Sequence, residues 1–414
     1  MDSQLMPSVD AFLQNLIAHP PNKGARQDYI TAALSLLDNP QDAIPAIHIA
    51  GTSGKGSTAY YATHILISAG YSVGTCMSPH ITSVTERSLI NGLALPPSEY
   101  SDIFLRFCNL YKKHRLHFSY FEFLTVFSFW LFHQKKVDYM VIETGIGGRL
   151  DATNVITRPD TIRAITDIGL DHTELLGDTL ADIATEKAGI IHPENVVVIN
   201  PQDEVVCDVI ATTAAINNAR LVINNTRPQF LADIRQRNWQ LAQLATTQRL
   251  VMDGKNSPAP CSNNPSADLV IPGRCETHTI DNVLVVIDAA HNPQKLQGLT
   301  AALTNQYPTK QPLFVVAFGD NKTATLQQSL TIIDSLALFV IATSFTSVGN
   351  YHKSIPATSI KANLSTPCSI ELSPVAALTM AIQQAKSLNT YVVVTGSFYL
   401  ISDIYSVVHS WGVE

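Results

Sequence analysis

Residues 47–58 read Ile-His-Ile-Ala-Gly-Thr-Ser-Gly-Lys-Gly-Ser-Thr, and this stretch decides the fold. The apolar residues Ala46–Ala50 predict a buried strand, and apolar residues at helical spacing over Thr58–Ala69 predict a helix after the glycine-rich turn. In that order, the unpaired N–H groups and the positive dipole end of the helix face an anion, and the glycines let the backbone approach it. We therefore predict a phosphate-binding turn.

The turn carries side chains that suit a nucleotide with its metal ion. Lys55 supplies a positive charge, and Ser57 or Thr58 can supply a hydroxyl ligand to Mg²⁺. The spacing differs from that of the common P-loop, because the first two glycines are closer together and a further glycine follows the lysine. A glycine-rich surface turn with an incidental lysine is the alternative, but the flanking strand and helix favour the phosphate site.

Size and composition are typical of a globular enzyme. The chain has 414 residues, of which 46% are hydrophobic and 15% charged, so it can form a large core and favours two or three domains. The net charge of −7 argues against a general nucleic-acid surface. We expect no nucleic-acid partner.

Cysteine usage and hydropathy predict the compartment. The six cysteines are scattered without a CxxC pair, which is typical of a reducing compartment with no zinc site or disulfide framework. The N-terminus lacks the basic start of a signal peptide, and the most apolar stretch, Phe121–Phe132, is too short to span a bilayer. We expect a cytoplasmic protein without a membrane partner.

Strand-like runs alternate with helical runs, which predicts parallel α/β sheets. The predicted strands are Ala46–Ala50, Ser72–Cys76, Tyr139–Glu143, Ile162–Thr166 and Val196–Ile199, followed by Val283–Ile287, Leu313–Ala317, Leu338–Ala342 and Tyr391–Thr395. Between the two series, the polar stretch Asp253–Pro265 predicts a surface loop shortly before a domain border near Arg274–Asp281.

Polar segments follow several predicted strands, at the edge where parallel sheets place their ligands. Ser78 could be a metal or phosphate ligand, or only part of a Ser-Pro turn. Glu143, at the end of a buried strand, suits the role of a Walker-B acid that binds Mg²⁺. In the glycine-rich segment after it, Arg149 and Asp151 could merely pair on the surface, and the misplaced third glycine argues against a dinucleotide fingerprint.

Three further segments leave structural and functional interpretations open. His172 is either a satisfied structural histidine or a ligand beside Glu143. Lys187, considered alone, is an ordinary helix lysine. Asp288 and His291 follow a strand of the second series, where they either face a cleft or form a capped turn before a helix.

Taken together, these segments resemble the folylpolyglutamate synthase and dihydrofolate synthase family of Mur-ligase-type, ATP-dependent amide ligases. The matching stretches occur in the family's order. They are Ala50–Thr58, Ser78–His80, Glu86–Arg87, Phe121–Phe123, Glu143–Asn154, Asp171–Thr179, Glu186–Ile190, Pro272–Arg274, Asp288–Pro293 and Gly396–Ser397.

The resemblance implies a P-loop-type, parallel-sheet ATPase domain over residues 1–275 and a smaller Rossmann-like α/β domain over residues 276–414. It also implies the reaction: a pteroate or folate carboxylate attacks the γ-phosphate of ATP, and the amine of L-glutamate displaces phosphate from the acyl phosphate. The implied cofactors are two Mg²⁺ ions, with K⁺ as a further candidate ion, and a carbamate on Lys187. The implied partners are dihydropteroate or a reduced folate, L-glutamate and ATP, bound by a monomer.

The resemblance also assigns roles to residues of this chain. The nucleotide contacts would be Gly51, Thr52, Gly54, Lys55, Gly56, Ser57, Thr58, Asn238, Arg274 and Asp288. The metal ligands would be Ser57, Ser78, Glu143, His172 and carbamylated Lys187, and the catalytic residues Lys55, Glu143, His172 and Lys187. The contacts to the pterin substrate or glutamate would be Ser78, Pro79, His80, Arg87, Phe121, Glu122, His291 and Ser397.

The sequence departs from the family pattern at three places. Ser53 stands where the family usually has Asn, and only Asn238 aligns in the family's His-Gln-x-x-Asn segment. The family's Asp-Lys-Asp segment appears here as Asn321-Lys322-Thr323. The changes at Arg235, Asn321 and Thr323 keep a non-catalytic nucleotide-binding descendant open as an alternative. A ligase for another carboxylate is a second alternative, and the Phe121–Phe123 and Gly145–Asn154 segments argue against it.

Overall fold

Each of two units of the chain is organised around its own β-sheet. The computed structural model describes residues 6–21, 26–225, 233–256, 269–346 and 353–411. One unit comprises Met1–His80 with Val84–Ser266, and the other comprises Ile81–Ser83 with Ala267–Glu414. Residues 257–265 of the predicted surface loop lie outside the described part, as do the N-terminal residues 1–4.

The first unit alternates strands with helices as the sequence predicts. Its strands are β1 (Ala46–Ala50), β2 (Val73–Cys76), β3 (Ser88–Ile90), β4 (Tyr139–Glu143), β5 (Ile162–Ile165), β6 (Val196–Ile199) and β7 (Arg220–Ile223). Its helices are α1 (Met6–Ala18), α2 (Gln27–Ser35), α3 (Pro40–Ala43), α4 (Lys55–Ser68), α5 (Pro97–Lys113), α6 (Tyr120–Lys135), α7 (Thr173–Leu176), α8 (Leu180–Ala188), α9 (Glu204–Ile216) and α10 (Ile234–Met252), with a 3₁₀ turn at Val84–Arg87.

The sheet of this unit has the order β3-β2-β4-β1-β5-β6-β7 among the described residues. All pairs are parallel except β2 with β3. Every residue of β1, β4 and β5 is buried, which explains why these strands are apolar in the sequence apart from His48, Glu143 and Arg163. The turn after β1 and the end of β4 therefore lie side by side at the carboxyl edge of the sheet.

Helix α4 begins earlier than the sequence indicated. The predicted helix Thr58–Ala69 starts at Lys55, because Gly54, with φ +91°, occupies the N-cap position without a side-chain cap. Glycine adopts this backbone conformation without a Cβ penalty. The first turn of the helix therefore consists of the polar residues of the predicted phosphate turn.

The long apolar stretch Phe121–Phe132 forms most of helix α6, which packs into an aromatic core. Phe127 of this helix packs against Phe104 and Phe107 of α5, with ring centroids 5.4 Å apart in both pairs. Phe132 fills the space beside Gly74 of β2, where a Cβ would come within 2.4 Å of its ring. Among the described residues, no helix is both long and apolar enough to cross a membrane.

The second unit repeats the α/β pattern on a smaller scale. Its strands are β8 (Glu276–Ile280), β9 (Val283–Ile287), β10 (Leu313–Val316), β11 (Phe339–Ala342), β12 (Cys368–Ile370) and β13 (Val392–Thr395). Its helices are α11 (Pro293–Gln306), α12 (Leu326–Asp334), α13 (Ala357–Ala362), α14 (Pro374–Leu388) and α15 (Phe398–Trp411), with a 3₁₀ turn at Asp320–Thr325. The described sheet has the order β12-β11-β10-β13-β9-β8, and only β8 is antiparallel to its neighbour.

Candidate active site

The glycine-rich turn after β1 packs so closely against neighbouring residues that two of its positions have no room for a side chain. Gly51 and Gly54 have φ of +148° and +91°. A Cβ on Gly51 would lie 1.8 Å from Thr166 Oγ1, and a Cβ on Gly54 would lie 2.1 Å from Asn238 Oδ1. Both positions therefore require glycine, and Asn238 of α10, predicted as a nucleotide contact, is placed directly against the turn.

The middle of the turn is tied to the segment after β5. The backbone N–H groups of Thr52 and Ser53 donate to the carbonyl of Asp167 at 2.9 and 3.1 Å. The Thr52 hydroxyl donates to the carbonyl of Gly169 at 3.0 Å, and Arg237 forms a two-pronged ion pair with Asp167. Thr52 is predicted as a nucleotide contact, but its N–H and hydroxyl groups fix the shape of the turn. The N–H groups at the start of α4 come directly after this turn in the chain.

Two lysines converge on one backbone oxygen of the turn. Lys55 Nζ donates to the carbonyl of Gly51 at 3.1 Å, and Lys187 Nζ donates to the same oxygen at 2.8 Å. Lys187 is only 4% exposed and lies near the end of α8. The interpretation of Lys187 as an ordinary helix lysine is therefore wrong, because the fold buries its ammonium beside the phosphate turn.

Glu143, at the end of β4, lies beside the first turn of α4. Its Oε2 accepts the backbone N–H of Ser78 at 3.0 Å, and the Ser78–Pro79 peptide bond is cis. A Cβ on Gly56 would lie 3.5 Å from both carboxylate oxygens. Ser57, the next residue of α4, is buried as well. The structure thus brings together the carboxylate, the lysine pair and the Ser78 segment that the sequence placed in one site.

The segment after Glu143 is folded around a carboxylate that the sequence did not single out as functional. Asp151 Oδ2 accepts the N–H groups of Gly145 and Ile146 at 3.0 and 3.1 Å, and Oδ1 accepts the N–H of Thr153 at 2.9 Å. Burial raises the pKa of Asp151 despite these hydrogen bonds. The ring of Phe121 packs against Gly145, where an added Cβ would lie 2.5 Å from the ring.

A chain of buried hydrogen bonds, each donating to the next residue, runs from Arg163 to Asp151 and supports this segment. Arg163 Nη1 lies 2.6 Å from Nδ1 of His48, and His48 Nε2 lies 2.8 Å from the Thr153 hydroxyl. The hydroxyl in turn donates to Asp151 Oδ1. Because the guanidinium only donates, His48 Nδ1 accepts and Nε2 carries the proton. Burial, together with Arg163, keeps the pKa of His48 well below its usual value, which fits this neutral tautomer.

The same segment clamps the end of helix α8. The backbone N–H of Arg149 donates to the carbonyl of Glu186 at 2.7 Å, and the two side chains form an ion pair at 2.6 Å. A Cβ on Gly148 would come within 2.7 Å of that carbonyl, and the Asn154 amide donates to the carbonyl of Gly189. The alternative of an Arg149–Asp151 pair is therefore wrong. These contacts position Lys187, which follows Glu186 in the chain.

His172 occupies an unusual backbone position next to α7. Its φ is +51°, and it forms the N-cap of this helix. Its backbone N–H donates to Asp171 Oδ1 at 3.1 Å, and its Nδ1 lies 3.7 Å from Glu174 Oε1. The imidazole is 23% exposed, so a ligand from solvent can reach it.

The predicted pterin-binding residues of the first unit fall into two groups. In one group, Arg87 donates from Nε to His80 Nδ1 at 2.9 Å, and its guanidinium lies over the ring of Tyr120. Burial, and then the charge of Arg87, lower the pKa of His80 to about 4. His80 is therefore a neutral hydrogen-bonding group at physiological pH.

In the other group, Glu122 has a structural role at the start of α6. Its Oε2 accepts the N–H of Ser119 at 2.7 Å in a capping box, and its Oε1 accepts Nε of Arg26 at 2.8 Å. Both oxygens of this predicted substrate contact are thus engaged within the protein. The carboxylate orients α6 and with it Phe121, which covers Gly145.

In the second unit, the predicted site residues cluster around the ends of β9 and β13. Asp288 accepts the N–H groups of Cys275 and Ala290, each at 2.8 Å, so its carboxylate holds two loops together. Arg274 lies over the ring of Phe398, 4.5 Å from its centroid. Ser397, just before α15, accepts the N–H of Tyr399 at 3.1 Å.

His291 lies beside the same aromatic ring, with a defined tautomer. Its Nδ1 is 2.8 Å from the carbonyl of Ala289, which can only accept, so Nδ1 carries the proton. Its Nε2 accepts from the ammonium of Lys295 at 3.0 Å. Lys295 is thus a cation beside His291, the predicted glutamate contact. The sequence did not reveal Lys295, because a lysine in the first turn of a helix carries no signal by itself.

The altered Asn321–Thr323 segment forms the 3₁₀ turn after β10. The Thr323 hydroxyl donates to the carbonyl of Asp320, and Lys322 is buried. Asp320 and Thr323 line a pocket of about 510 Å³ that also includes Lys353 and Ser354. An acid next to the altered segment thus lines this pocket.

Comparisons with known proteins identify the family. The family models of the Mur ligase middle domain and of the dihydrofolate synthetase C-terminal domain match residues 49–290 and 273–407. A probable dihydrofolate synthetase of Schizosaccharomyces pombe is 31% identical, over 90% of this chain and 95% of that one. A folylpolyglutamate synthase of Lacticaseibacillus casei is 32% identical, over 75% and 80% of the two chains.

Solved structures share the fold along almost the whole chain. The Mycobacterium tuberculosis folylpolyglutamate synthase complexed with ADP superposes with a TM-score of 0.85 at 24% identity, covering 98% of this chain and 99% of that one. Escherichia coli FolC in complex with DHPP and ADP gives a TM-score of 0.83 at 24% identity, covering 99% of both chains. The chain belongs to the dihydrofolate synthetase and folylpolyglutamate synthase family of Mur-type ligases.

Proposed function

We propose that this protein uses ATP to ligate L-glutamate to the carboxylate of dihydropteroate, of a reduced folate, or of both. The observation that carries the proposal is the meeting of Lys55 and Lys187 at the carbonyl of Gly51, beside Glu143 at the end of β4. A half-buried cation, Lys55, and a buried one, Lys187, next to a glycine-rich turn suit a polyphosphate. Relatives named as dihydrofolate synthetases and folylpolyglutamate synthases support the choice of substrates.

The chemistry requires an activated carboxylate. A carboxylate oxygen of the pterin substrate attacks the γ-phosphorus of ATP, the bond to the β,γ-bridging oxygen breaks, and ADP leaves. The amine of glutamate then attacks the acyl carbon, and phosphate leaves with one former carboxylate oxygen. In the proposal, Lys55 and the N–H groups at the start of α4 stabilise the charge on the transferred phosphoryl oxygens.

The residues present suit Mg²⁺. Glu143 and Ser57 offer the hard oxygen ligands that this ion prefers, and the missing side chain of Gly56 leaves room beside both carboxylate oxygens. We propose that Glu143, Ser57, Ser78 and His172 hold the ions. Bound Mg²⁺ would neutralise charge on the phosphates and orient the reacting groups.

We propose that Lys187 carries a carbamate in the active enzyme. As an unmodified lysine, its ammonium shares one carbonyl with that of Lys55, so that two like charges lie close together. A carbamate replaces this repulsion by attraction and adds an anionic oxygen ligand for a metal ion. The clamp formed by Arg149 and Gly148 holds the backbone of α8 at this point, which keeps the modified side chain in register.

The remaining roles are proposed from position. Pro79, His80, Arg87 and Phe121 would line the pterin site, where a neutral His80 can hydrogen-bond an uncharged ring. In the second unit, Arg274 and Asp288 would contact the nucleotide, and His291 and Ser397 the glutamate. We also propose a monomer in the cytoplasm, K⁺ as an additional activating ion and a domain border at residues 275/276.

The experiment is a substrate matrix with purified protein, ATP, Mg²⁺ and K⁺. Phosphate release is measured with and without L-glutamate, in the presence of dihydropteroate, a reduced folate or a cell-wall precursor carboxylate. The proposal expects release that requires both glutamate and one of the two pterin substrates. Phosphate release only with the cell-wall carboxylate, and with neither pterin substrate, would indicate a different ligase. Nucleotide binding without glutamate-dependent release would indicate a non-catalytic descendant. Either result overturns the proposal.

A further inference from the structure

The second unit carries a group of ligand-type side chains where the edge strand β8 meets the end of helix α15. Glu276 and His278 are two residues apart on the strand and therefore lie on the same face. Tyr405 and His409 are one turn apart on the helix. The ligand atoms of Glu276, His278 and His409 all lie within 4.8 Å of one another.

A single carboxylate oxygen is the centre of the group. Glu276 Oε1 lies 2.8 Å from Nε2 of His278, 3.5 Å from Nε2 of His409 and 3.3 Å from the hydroxyl of Tyr405. The other oxygen, Oε2, accepts the backbone N–H of Gly273 at 2.8 Å. The carboxylate is thus fixed through Oε2, and the two imidazoles lie beside its other oxygen, Oε1.

The hydrogen bonds of His409 determine which nitrogen faces this oxygen. Nδ1 is 2.9 Å from the carbonyl of Tyr405, which can only accept, so Nδ1 carries a proton. The nitrogen left to bind a cation is therefore Nε2, which is the one that faces the Glu276 oxygen at 3.5 Å. Histidines that bind metals commonly donate their other ring N–H to a carbonyl in this way.

The exposure of the three side chains increases from Glu276 to His278 to His409. The side chain of Glu276 is 3% exposed, that of His278 16% and that of His409 47%. The charged ligand is therefore desolvated and held in place, while the His409 side is open to solvent. The ring of Tyr405 packs against that of His409, with centroids 4.2 Å apart and an interplanar angle of 41°, and so orients the outer ligand.

We propose that Glu276, His278 and His409 bind a divalent transition metal ion of the Zn²⁺ type, with a water molecule as the fourth ligand. Two imidazoles and one carboxylate are the donors that such an ion prefers over Mg²⁺. The sequence predicted no zinc site because it lacks paired cysteines, but this site uses no thiolate. The ion ties the edge strand to the C-terminal helix, and this role is independent of the proposed ligase reaction.

The test measures Zn²⁺ binding to the full chain by competition with a chromophoric chelator, with millimolar Mg²⁺ present to occupy sites made of oxygen ligands. The variants are His409→Ala and His278→Ala. The matched control is His19→Ala, because His19 is also an exposed histidine whose Nδ1 bonds the carbonyl four residues earlier. His409 is half-exposed, so its replacement needs no repacking of the core.

The site predicts that His409→Ala and His278→Ala weaken one Zn²⁺ equivalent tenfold or more, whereas His19→Ala retains the wild-type Kd. Zn²⁺ should also raise the Tm of the wild type and of His19→Ala more than that of His409→Ala. Co²⁺ bound at this site should show visible bands that disappear in His409→Ala. Equal stoichiometry and Kd in the wild type and His409→Ala would overturn the proposal.

Discussion

Replacing Gly56 by alanine should separate stability from metal-dependent nucleotide binding. Gly56 is the second residue of α4, and its added Cβ would lie 3.5 Å from both oxygens of Glu143 and 3.6 Å from Met77 Cε. These are ordinary van der Waals contacts, so the fold accommodates the methyl group. Alanine is also the better helix former, by up to about 1 kcal/mol. We expect the free energy of unfolding to stay constant or to rise by up to about 1 kcal/mol.

The same methyl group occupies the space beside the carboxylate that we assign to Mg²⁺. The affinity for ADP in the presence of Mg²⁺ should therefore fall by about tenfold or more, equivalent to about 1.4 kcal/mol. Binding of ADP without the metal should change less. Isothermal titration with and without Mg²⁺ measures the two affinities, and urea denaturation measures the stability.

A contrasting variant is Gly70→Ala. Gly70 has φ +90°, and an added Cβ would meet nothing within 4 Å. Alanine in this backbone conformation costs about 1–2 kcal/mol, so this variant should lose stability and keep the wild-type affinity. The reasoning is refuted if Gly56→Ala binds Mg²⁺ and ADP with wild-type affinity, or if its affinity falls only in proportion to a loss of folded protein.

Three further predictions concern the surroundings of this site. Lys187→Ala should abolish most turnover, and short carboxylates that replace the carbamate should restore part of it. Asp151→Asn should lower the free energy of unfolding by about 1–3 kcal/mol in urea titrations, since its NH₂ group must face donors that now bond a carboxylate. Because the pKa of His80 is about 4 in the folded protein and 6.5 ordinarily, the unfolded chain binds the additional proton between these values. Stability should therefore fall as the pH drops from 6.5 toward 4, and His80→Gln should lack up to about 3 kcal/mol of that fall.

Each of these has a result that contradicts it. Unchanged turnover in Lys187→Ala would remove the role of the carbamate. A wild-type urea midpoint for Asp151→Asn would show that the carboxylate does not hold its segment. Identical loss of stability on acidification for His80→Gln and the wild type would show that His80 titrates normally.

Burial explains which parts of the fold the sequence predicted. The strands Ala46–Ala50, Tyr139–Glu143 and Val196–Ile199 have the predicted bounds, because strands buried on both faces are mostly apolar in the sequence. The strands that were missed, β3, β7, β8 and β12, are the edges of the two described sheets. Edge strands are partly exposed, as the mixed burial of β7 illustrates, and so lack that run.

The candidate site shows a similar division. Lys55 and Glu143 could be predicted because they follow buried strands at one sheet edge. Lys187 was named only through the family resemblance, since the clamp that buries it joins segments far apart in the sequence. The supporting network of Arg163 and His48 left no signal, because a charged residue within an apolar strand reveals no partner. Glu122 was assigned to substrate, whereas the structure engages both of its oxygens in a helix cap and an ion pair.

The central claim is that the pterin carboxylate is activated by phosphorylation before glutamate adds. Dihydropteroate or a reduced folate labelled with ¹⁸O in its reacting carboxylate tests this directly, with mass spectrometry of the phosphate formed in the presence of ATP, Mg²⁺ and L-glutamate. An acyl phosphate intermediate transfers one ¹⁸O to each phosphate released and leaves the other in the amide. Glutamate-dependent product with unlabelled phosphate would contradict the mechanism, and the absence of any glutamate-dependent product would contradict the assigned function.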